Sequence, residues 1–260
     1  MLEAHGVGFS YKHKVLLQNI TLPVVPGEVA VICGPNGAGK STLLHLLAGD
    51  LPPSRGIITL DGEDIVGRAP EALAMRRAVL EQNPSISGAF TVHELAALGT
   101  FSFNLFRESV DRLVDRALGA VSLRGFADRQ INQLSGGERA RAHLARVLVQ
   151  IYAETRVSGQ TYLLLDEPTA SLDPAHQITV LRAARECADD GVGVLMVCHD
   201  LTLSAASSDR VHFLKNGSVM CSGAPRDVFT PKILKDVYDV DFKVFREHLG
   251  APSISVEFGL

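Results

Sequence analysis

The sequence predicts an α/β fold: a mostly parallel sheet covered on both faces, with an antiparallel β part and an inserted helical segment. Three observations predict it. Strand-like apolar runs alternate with helix-like periodicity along most of the 260 residues, as in parallel strands joined by covering helices. A glycine-rich stretch separates one such strand, 29–33, from a helix starting at Lys40. From Thr91 to about Thr155 strand character gives way to apolar residues at helical spacing, the texture of a helical subdomain set into the core.

Taken in order, residues 1–28 read as short strands and turns, with Phe9 and Tyr11 ahead of the basic run Lys12-His13-Lys14. Residues 15–23 alternate apolar and polar, and Pro26-Gly27-Glu28 is a turn. The helix 40–48 stops at Gly49, and residues 52–56 (PPSRG) make the exit turn. A strand at 57–60 is closed by Asp61-Gly62, a hairpin signal. A short helix at 71–77 and a strand at 78–81 follow, and residues 84–88 lead into the helical segment. Strands return at 162–165 and 193–198, with a helix at 174–189 between them and another from Leu201. Strands 211–214 and 218–221 flank Asn216-Gly217, a strong hairpin turn. The expected organisation is one domain over 1–260, with an α/β core of 1–87 and 156–260 and a helical subdomain of 88–155.

A net charge of −4 gives no electrostatic footprint for non-specific nucleic-acid binding. The four cysteines (33, 187, 198 and 221) form no C-x-x-C pair, and Cys33 and Cys198 lie in strand-like runs that suit small buried hydrophobes. The first ten residues lack the basic start and apolar run of a signal peptide. The longest apolar runs, such as 192–198, fall far short of the ~20 residues that span a bilayer. A cytosolic chain is expected, with any membrane role borrowed from a partner.

The phosphate chemistry begins at residues 34–42, GPNGAGKST, where Gly34, Gly39, Lys40 and Ser41 meet G-x-x-x-x-G-K-[ST] between strand and helix. Glycine lets the backbone of Gly34, Pro35, Asn36, Gly37, Ala38 and Gly39 approach closely enough for successive N–H groups to face phosphate oxygens. The following helix aims the positive end of its dipole at the same anion. Lys40 adds a charge for the β/γ-phosphates, and the Ser41 hydroxyl suits the shell of Mg²⁺, with Thr42 beside it. A nucleoside triphosphate is therefore the expected ligand.

Residues 162–165 end in Asp166-Glu167-Pro168. Two adjacent carboxylates at the end of a buried strand are costly unless a cation or a reacting water uses them. Asp166 then orders the Mg²⁺ shell, and Glu167 positions and deprotonates the water attacking the γ-phosphate. His199, just after a second apolar strand, suits a sensor of that phosphate and water. Gln82, where core meets helical segment, suits orienting water or touching Mg²⁺. Residues 134–138, Leu134-Ser135-Gly136-Gly137-Glu138, open the helix predicted from 137 to 149: Ser135 with Glu138 is a capping box, and the glycines bare a second anion site. Two phosphate-binding helix starts in one chain suggest two half-sites, and if the second cannot fold back on the first it must serve a nucleotide held by another subunit. A head-to-tail homodimer holding two ATP molecules at a two-fold interface is the expected assembly.

With these motifs in this order the chain resembles the ATP-binding-cassette ATPases over nearly its whole length. The resemblance implies that Tyr11 stacks on adenine, that 34–42 is the phosphate loop, and that Gln82 belongs to the glutamine loop. It further implies that 134–138 is the signature acting on ATP in trans, that 163–167 is the Mg²⁺ strand with its catalytic glutamate, and that His199 is the switch histidine. Ser171-Leu172-Asp173 resembles the loop that reaches across the dimer. No membrane segment is fused to it, as in the separate ATPase subunits of bacterial importers. Residues 47–65, 91–99 and 227–239 resemble the subgroup serving iron–chelate, haem and cobalamin importers, and the long spacer 152–160 resembles its haem-import branch. Glu81 departs from the proline frequent before the family's glutamine. The resemblance implies two permease copies as partners, a periplasmic solute-binding protein acting indirectly, and a place on the cytoplasmic face of the inner membrane. No haem site is visible: His45, His93, His143 and His212 are isolated, and the nine histidines show no metal-ligand spacing. Three classes stay open at this point: an importer motor, a cassette ATPase in a cytosolic assembly such as iron–sulfur cluster biogenesis, and a nucleotide-gated switch without turnover.

Overall fold

The computed structural model describes residues 1–84, 86, 88–154, 160–245 and 251–257. The chain opens with two long antiparallel strands, β1 (Leu2–Tyr11) and β2 (Lys14–Val24), where short strands are expected. Their pairing slips between Ala4 and Val7, Val7 and Phe9, and Phe9 and Ser10. Such bulges break the two-residue alternation from which a long strand is read. β3 (Val29–Cys33) and α1 (Lys40–Ala48) follow, the helix framed by Gly39 and Gly49, both in the left-handed conformation. β4 (Arg55–Leu60) turns through Asp61-Gly62 into β5 (Glu63–Asp64). α2 (Pro70–Ala74) is shorter than the helix expected at 71–77, because Arg77 is drawn into β6 (Arg77–Leu80) by its pairing with Tyr162.

The helical segment comprises α3 (Val92–Ala97), α4 (Arg107–Ala120) and α5 (Gly136–Glu154). α3 starts at a capping box in which Thr91 and Glu94 satisfy each other's backbone amides. α5 runs five residues past the expected Val149. Most of the distinctive spacer 152–160 lies outside the described residues. The rest of the chain supplies β7 (Tyr162–Asp166), α6 (Pro174–Asp189), β8 (Gly193–Val197), α7 (Leu201–Ser207), β9 (Arg210–Lys215) and β10 (Ser218–Gly223). It ends in α8 (Pro225–Val228), α9 (Pro231–Tyr238) and a hairpin of β11 (Phe242–Phe245) and β12 (Ser253–Val256).

Two main sheets result, as the sequence predicts. A six-stranded sheet runs β10-β9-β3-β8-β7-β6, parallel except for the β9–β10 hairpin, and a four-stranded antiparallel sheet runs β2-β1-β4-β5. β3, β7 and β8 are buried along their whole length. Alternate residues therefore feed two separate cores: Val31 and Cys33 face the one shared with α5 and α6, while Ala30 and Ile32 face the one shared with α1 and the antiparallel sheet. Larger aliphatic side chains such as Val31 and Ile32 each contribute about 1.5–3 kcal/mol on burial. That grip holds the C-terminal ends of β3, β7 and β8 level with one another, and the site is built on those ends.

Candidate functional site: a cleft at the C-terminal ends of the parallel strands

β3 ends at Cys33 and the chain turns at Gly34, where φ is 151° and an added Cβ would lie 2.1 Å from the Leu214 carbonyl. Only glycine fits that approach. The loop closes on itself, with the Ala38 amide donating to the Pro35 carbonyl at 3.2 Å, and leaves through Gly39 with φ 100°. An added Cβ at Gly39 would meet Leu17 Cδ2 at 2.6 Å. The loop is thus wedged between β2 and β9, its amides held by the fold. Lys40 Nζ folds back across it, donating to the Gly34 and Pro35 carbonyls at 2.9 and 3.1 Å. Burial pushes the Lys40 ammonium below its ordinary value, while Glu167, Cys33 and Asp166 oppose that shift.

Ser41, the next residue of α1, donates its hydroxyl to Asp166 Oδ1 at 3.2 Å. Asp166 is 2% exposed at the end of β7, and burial raises its carboxyl, with the Ser41 hydrogen bond working against that rise. Glu167 follows in the left-handed region with φ 51° and donates its amide to the Val197 carbonyl. That turn swings its carboxylate between two partners: Oε1 lies 2.5 Å from His199 Nε2, and Oε2 accepts from Gln82 Nε2 at 2.9 Å. Asp200 caps α7, accepting from the Leu203 amide at 2.9 Å, and so fixes the turn that carries His199. Asn36, Gly37, Gly39, Lys40, Ser41 and Thr42 with Gln82, Glu167 and His199 line one cleft of about 570 Å³. The arrangement joins an amide cradle, a cation, a hydroxyl beside a buried carboxylate, and a second carboxylate held by imidazole and amide. That set can bind a polyphosphate and deprotonate a water beside it.

Two further residues line this cleft without having been singled out: Lys14 and Leu16. Tyr11 does not line it; the ring is 62% exposed, with Lys12 Nζ 5.5 Å from its centroid, and Lys14 is its register partner across the hairpin. The basic run after Tyr11 was the available signal.

Residues 134–138 lie elsewhere. Ser135 and Glu138 form the capping box, with the Ser135 amide donating to Glu138 Oε2 at 2.8 Å and the Glu138 amide donating to Ser135 Oγ at 3.3 Å. These bonds pull the Glu138 carboxyl below its usual range. Leu134 is buried, and Gly137 packs its backbone against Leu172. Ser135, Gly137 and Glu138 line a second cleft of about 340 Å³ with Ser171 and Asp173. Gly136 faces a third, which also touches Glu167. Asp173 caps α6, accepting from the His176 amide at 3.0 Å, with His176 Nδ1 2.6 Å away. Its carboxyl is held low by those bonds. Within one copy, then, Lys40 and Ser135 face different openings. Among the isolated histidines, His45 pairs with Asp50 and His93 with Asp111 at the surface, while His143 and His212 are buried. Among the described residues no three His, Cys, Asp or Glu side chains converge as a metal site.

The family model described as ABC transporter matches residues 17–170. The chain is 42% identical over 256 residues to the hemin import ATP-binding protein HmuV of Rhodopseudomonas palustris, covering 98% of this chain and 97% of the other. It is 45% identical over 241 residues to HmuV of Bradyrhizobium diazoefficiens, covering 93% and 89%. A dimeric bacterial ABC transporter cassette superposes with a TM-score of 0.76 at 25% identity, covering 86% of this chain and 98% of that one. Matched by that model over residues 17–170 and by those relatives over nearly its whole length, the chain belongs to the ABC transporter family and is one of its ATPases.

Proposed function

We propose that the chain is the ATP-hydrolysing subunit of a haem importer, working as a homodimer on two copies of a membrane permease. The observation that carries the cargo is the near full-length similarity, at 41–45% identity, to hemin import ATP-binding proteins. The separate openings of Lys40 and Ser135 support the dimer: each ATP lies on the phosphate loop of one copy (34–42) and the signature (134–138) of its twin, with Asp173 at the seam. Tyr11 is the proposed partner of the adenine ring. Haem reaches the permease from a periplasmic binding protein, and the chain sits on the cytoplasmic face of the inner membrane. Among the described residues no helix is long and apolar enough to cross a membrane. Residues 88–155 are the proposed moving arm on the core of 1–87 and 156–260.

Glu167 is the proposed general base, taking a proton from water while His199 Nε2 holds the carboxylate on one side and Gln82 Nε2 on the other. Lys40 exchanges its two loop carbonyls for phosphate oxygens, a stronger charge-assisted pairing. The oxygen donors at hand fit Mg²⁺, which favours one or two carboxylates beside substrate phosphates. Ser41 and Asp166, with Gln82, would hold it, and the Ser41 hydroxyl resting on a carboxylate that burial raises supports that fit. When bound, the ion would neutralise phosphate charge.

The test is reconstitution. Phosphate release by the chain with its permease in vesicles should rise when haem-loaded binding protein is enclosed. Stimulation by a ferric siderophore or cobalamin carrier instead would replace the cargo.

A further inference from the structure

Two thiols lie directly beneath the site. Cys33 closes β3 immediately before Gly34, and Cys198 follows β8 immediately before His199. β3 and β8 are parallel neighbours with Ile32 opposite Val197, and the Cys198 amide donates to the Ile32 carbonyl at 3.2 Å. One step further along the register, Cys33 stands opposite Cys198. Their side chains share a face, since Val31, Cys33, Met196 and Cys198 belong to one core while Ile32 and Val197 belong to the other. Paired strands run about 4.8 Å apart, within the roughly 4.4–6.8 Å between Cα atoms that a disulfide spans. Ser204 of α7 links the pair: its Oγ accepts from Cys33 Sγ at 3.4 Å and donates at 2.6 Å to the Asp200 carbonyl, which also accepts from Cys198 Sγ at 3.6 Å. Cys187 and Cys221 belong to other elements, α6 and β10.

We propose that Cys33 and Cys198 are a reversible oxidation site, forming a disulfide under peroxide that stops ATP turnover. The activity half of this proposal rests on the ATPase reading above; the chemistry does not. Cys198 is 5% exposed and Cys33 fully buried, so Cys198 meets the oxidant first. Its sulfur attacks one peroxide oxygen, the O–O bond breaks, and the thiol proton leaves with the departing hydroxide as water. The Cys33 sulfur then attacks the resulting sulfenic sulfur. The S–S bond forms, the S–O bond breaks, and the hydroxyl leaves with the Cys33 proton as a second water. Two electrons pass from the thiols to the peroxide, which balances the step. Burial pushes the Cys33 thiol up to about 12 and raises that of Cys198, so the closed fold keeps both protonated and slow to react. Oxidation proceeds through opening of the strand ends, on the timescale of local unfolding.

The crosslink matters because of what the sulfurs carry. A disulfide draws them to about 2.05 Å, tying the first residue before the loop to the residue before His199. Gly34 has no room to absorb that movement, being packed on the Leu214 carbonyl. Misplacing catalytic groups by about 1 Å costs on the order of 10²-fold in rate, so a fall of at least about tenfold is expected.

The experiment treats the purified full chain with hydrogen peroxide, maps peptides by mass spectrometry, and measures phosphate release before and after dithiothreitol. A Cys33–Cys198 linked peptide, loss of turnover, and recovery of both on reduction are expected. Cys198→Ala should turn over ATP in reductant and resist peroxide. Four free thiols, over-oxidation of either sulfur, or a link through Cys187 or Cys221 would overturn the proposal. A linked peptide with undiminished turnover would overturn the switch. The mass measurement on the unmutated chain stands even if Cys198→Ala misfolds or the chain proves to hydrolyse nothing, so failure of the ATPase reading is told apart from failure of this one.

Discussion

Glu167→Gln separates binding from chemistry at the centre of the site. The substitution keeps the side chain's size and removes its basicity. The present carboxylate accepts from Gln82 Nε2 at 2.9 Å and stands 2.5 Å from His199 Nε2. A glutamine carbonyl can still take the imidazole N–H, so the geometry loses at most the bond to Gln82, about 1 kcal/mol for a partly exposed pair. ATP affinity should therefore change by less than about fivefold. Loss of the proposed base is a larger effect: positioned proton transfer contributes about 10²–10⁴ in rate, or about 3–5.5 kcal/mol. Phosphate release at saturating Mg-ATP should fall by at least about a hundredfold, while size-exclusion with Mg-ATP shows a trapped dimer. Turnover within about fivefold of the unmodified chain would refute Glu167 as the base. A variant that stays monomeric with ATP bound would refute the shared site.

Three more outcomes follow from the same geometry. Lys40→Ala removes a buried ammonium that the loop carbonyls hold ready; at about 1.5–3 kcal/mol for a charged hydrogen bond, ATP binding by calorimetry should weaken roughly ten- to a hundredfold, and unchanged affinity would contradict its role. Gly34→Ala places a Cβ 2.1 Å from the Leu214 carbonyl at φ 151°, and overpacking of about 1–3 kcal/mol should lower the Tm by several degrees; an unshifted melt would contradict the packing. His212 is buried, bonded to Ser222 Oγ, and held neutral by burial that lowers it from 6.5 to about 4. Between those values the unfolded chain takes up a proton that the folded chain refuses. Stability should drop as pH falls through that window, by up to about 3 kcal/mol from this group. Urea unfolding across pH should show a shallower slope for His212→Gln; parallel slopes would contradict this.

How much was legible in the sequence depends on how local the cause is. α1 and α6 were readable to the residue, because Gly39 and Gly49 frame one and Asp173-Pro174 opens the other. The N-terminal strands outrun the short strands the sequence suggests, because their bulges erase the alternation. α9 and the β11–β12 hairpin went unread: the hairpin strands are four residues each and mostly exposed, so they carry little pattern. In the site, residue types and spacing made the loop and the carboxylate pair visible. Lys14 shows only as part of the basic run after Tyr11, because its place at the cleft depends on the pairing of β1 with β2. Nor does any pattern announce that Ser135 and Lys40 open onto different surfaces; that comes from where α5 lies against α6, a long-range outcome of packing.

The left-handed backbone at Glu167 sets two demands against each other at a single position. A side chain there costs about 1–2 kcal/mol that glycine would not, so Glu167→Gly should relieve the turn while removing the carboxylate that the turn exists to aim. With Glu167 as the proposed base, a screen for heat tolerance alone would favour a variant without turnover, and the native glutamate would be a place where this chain keeps function in preference to rigidity.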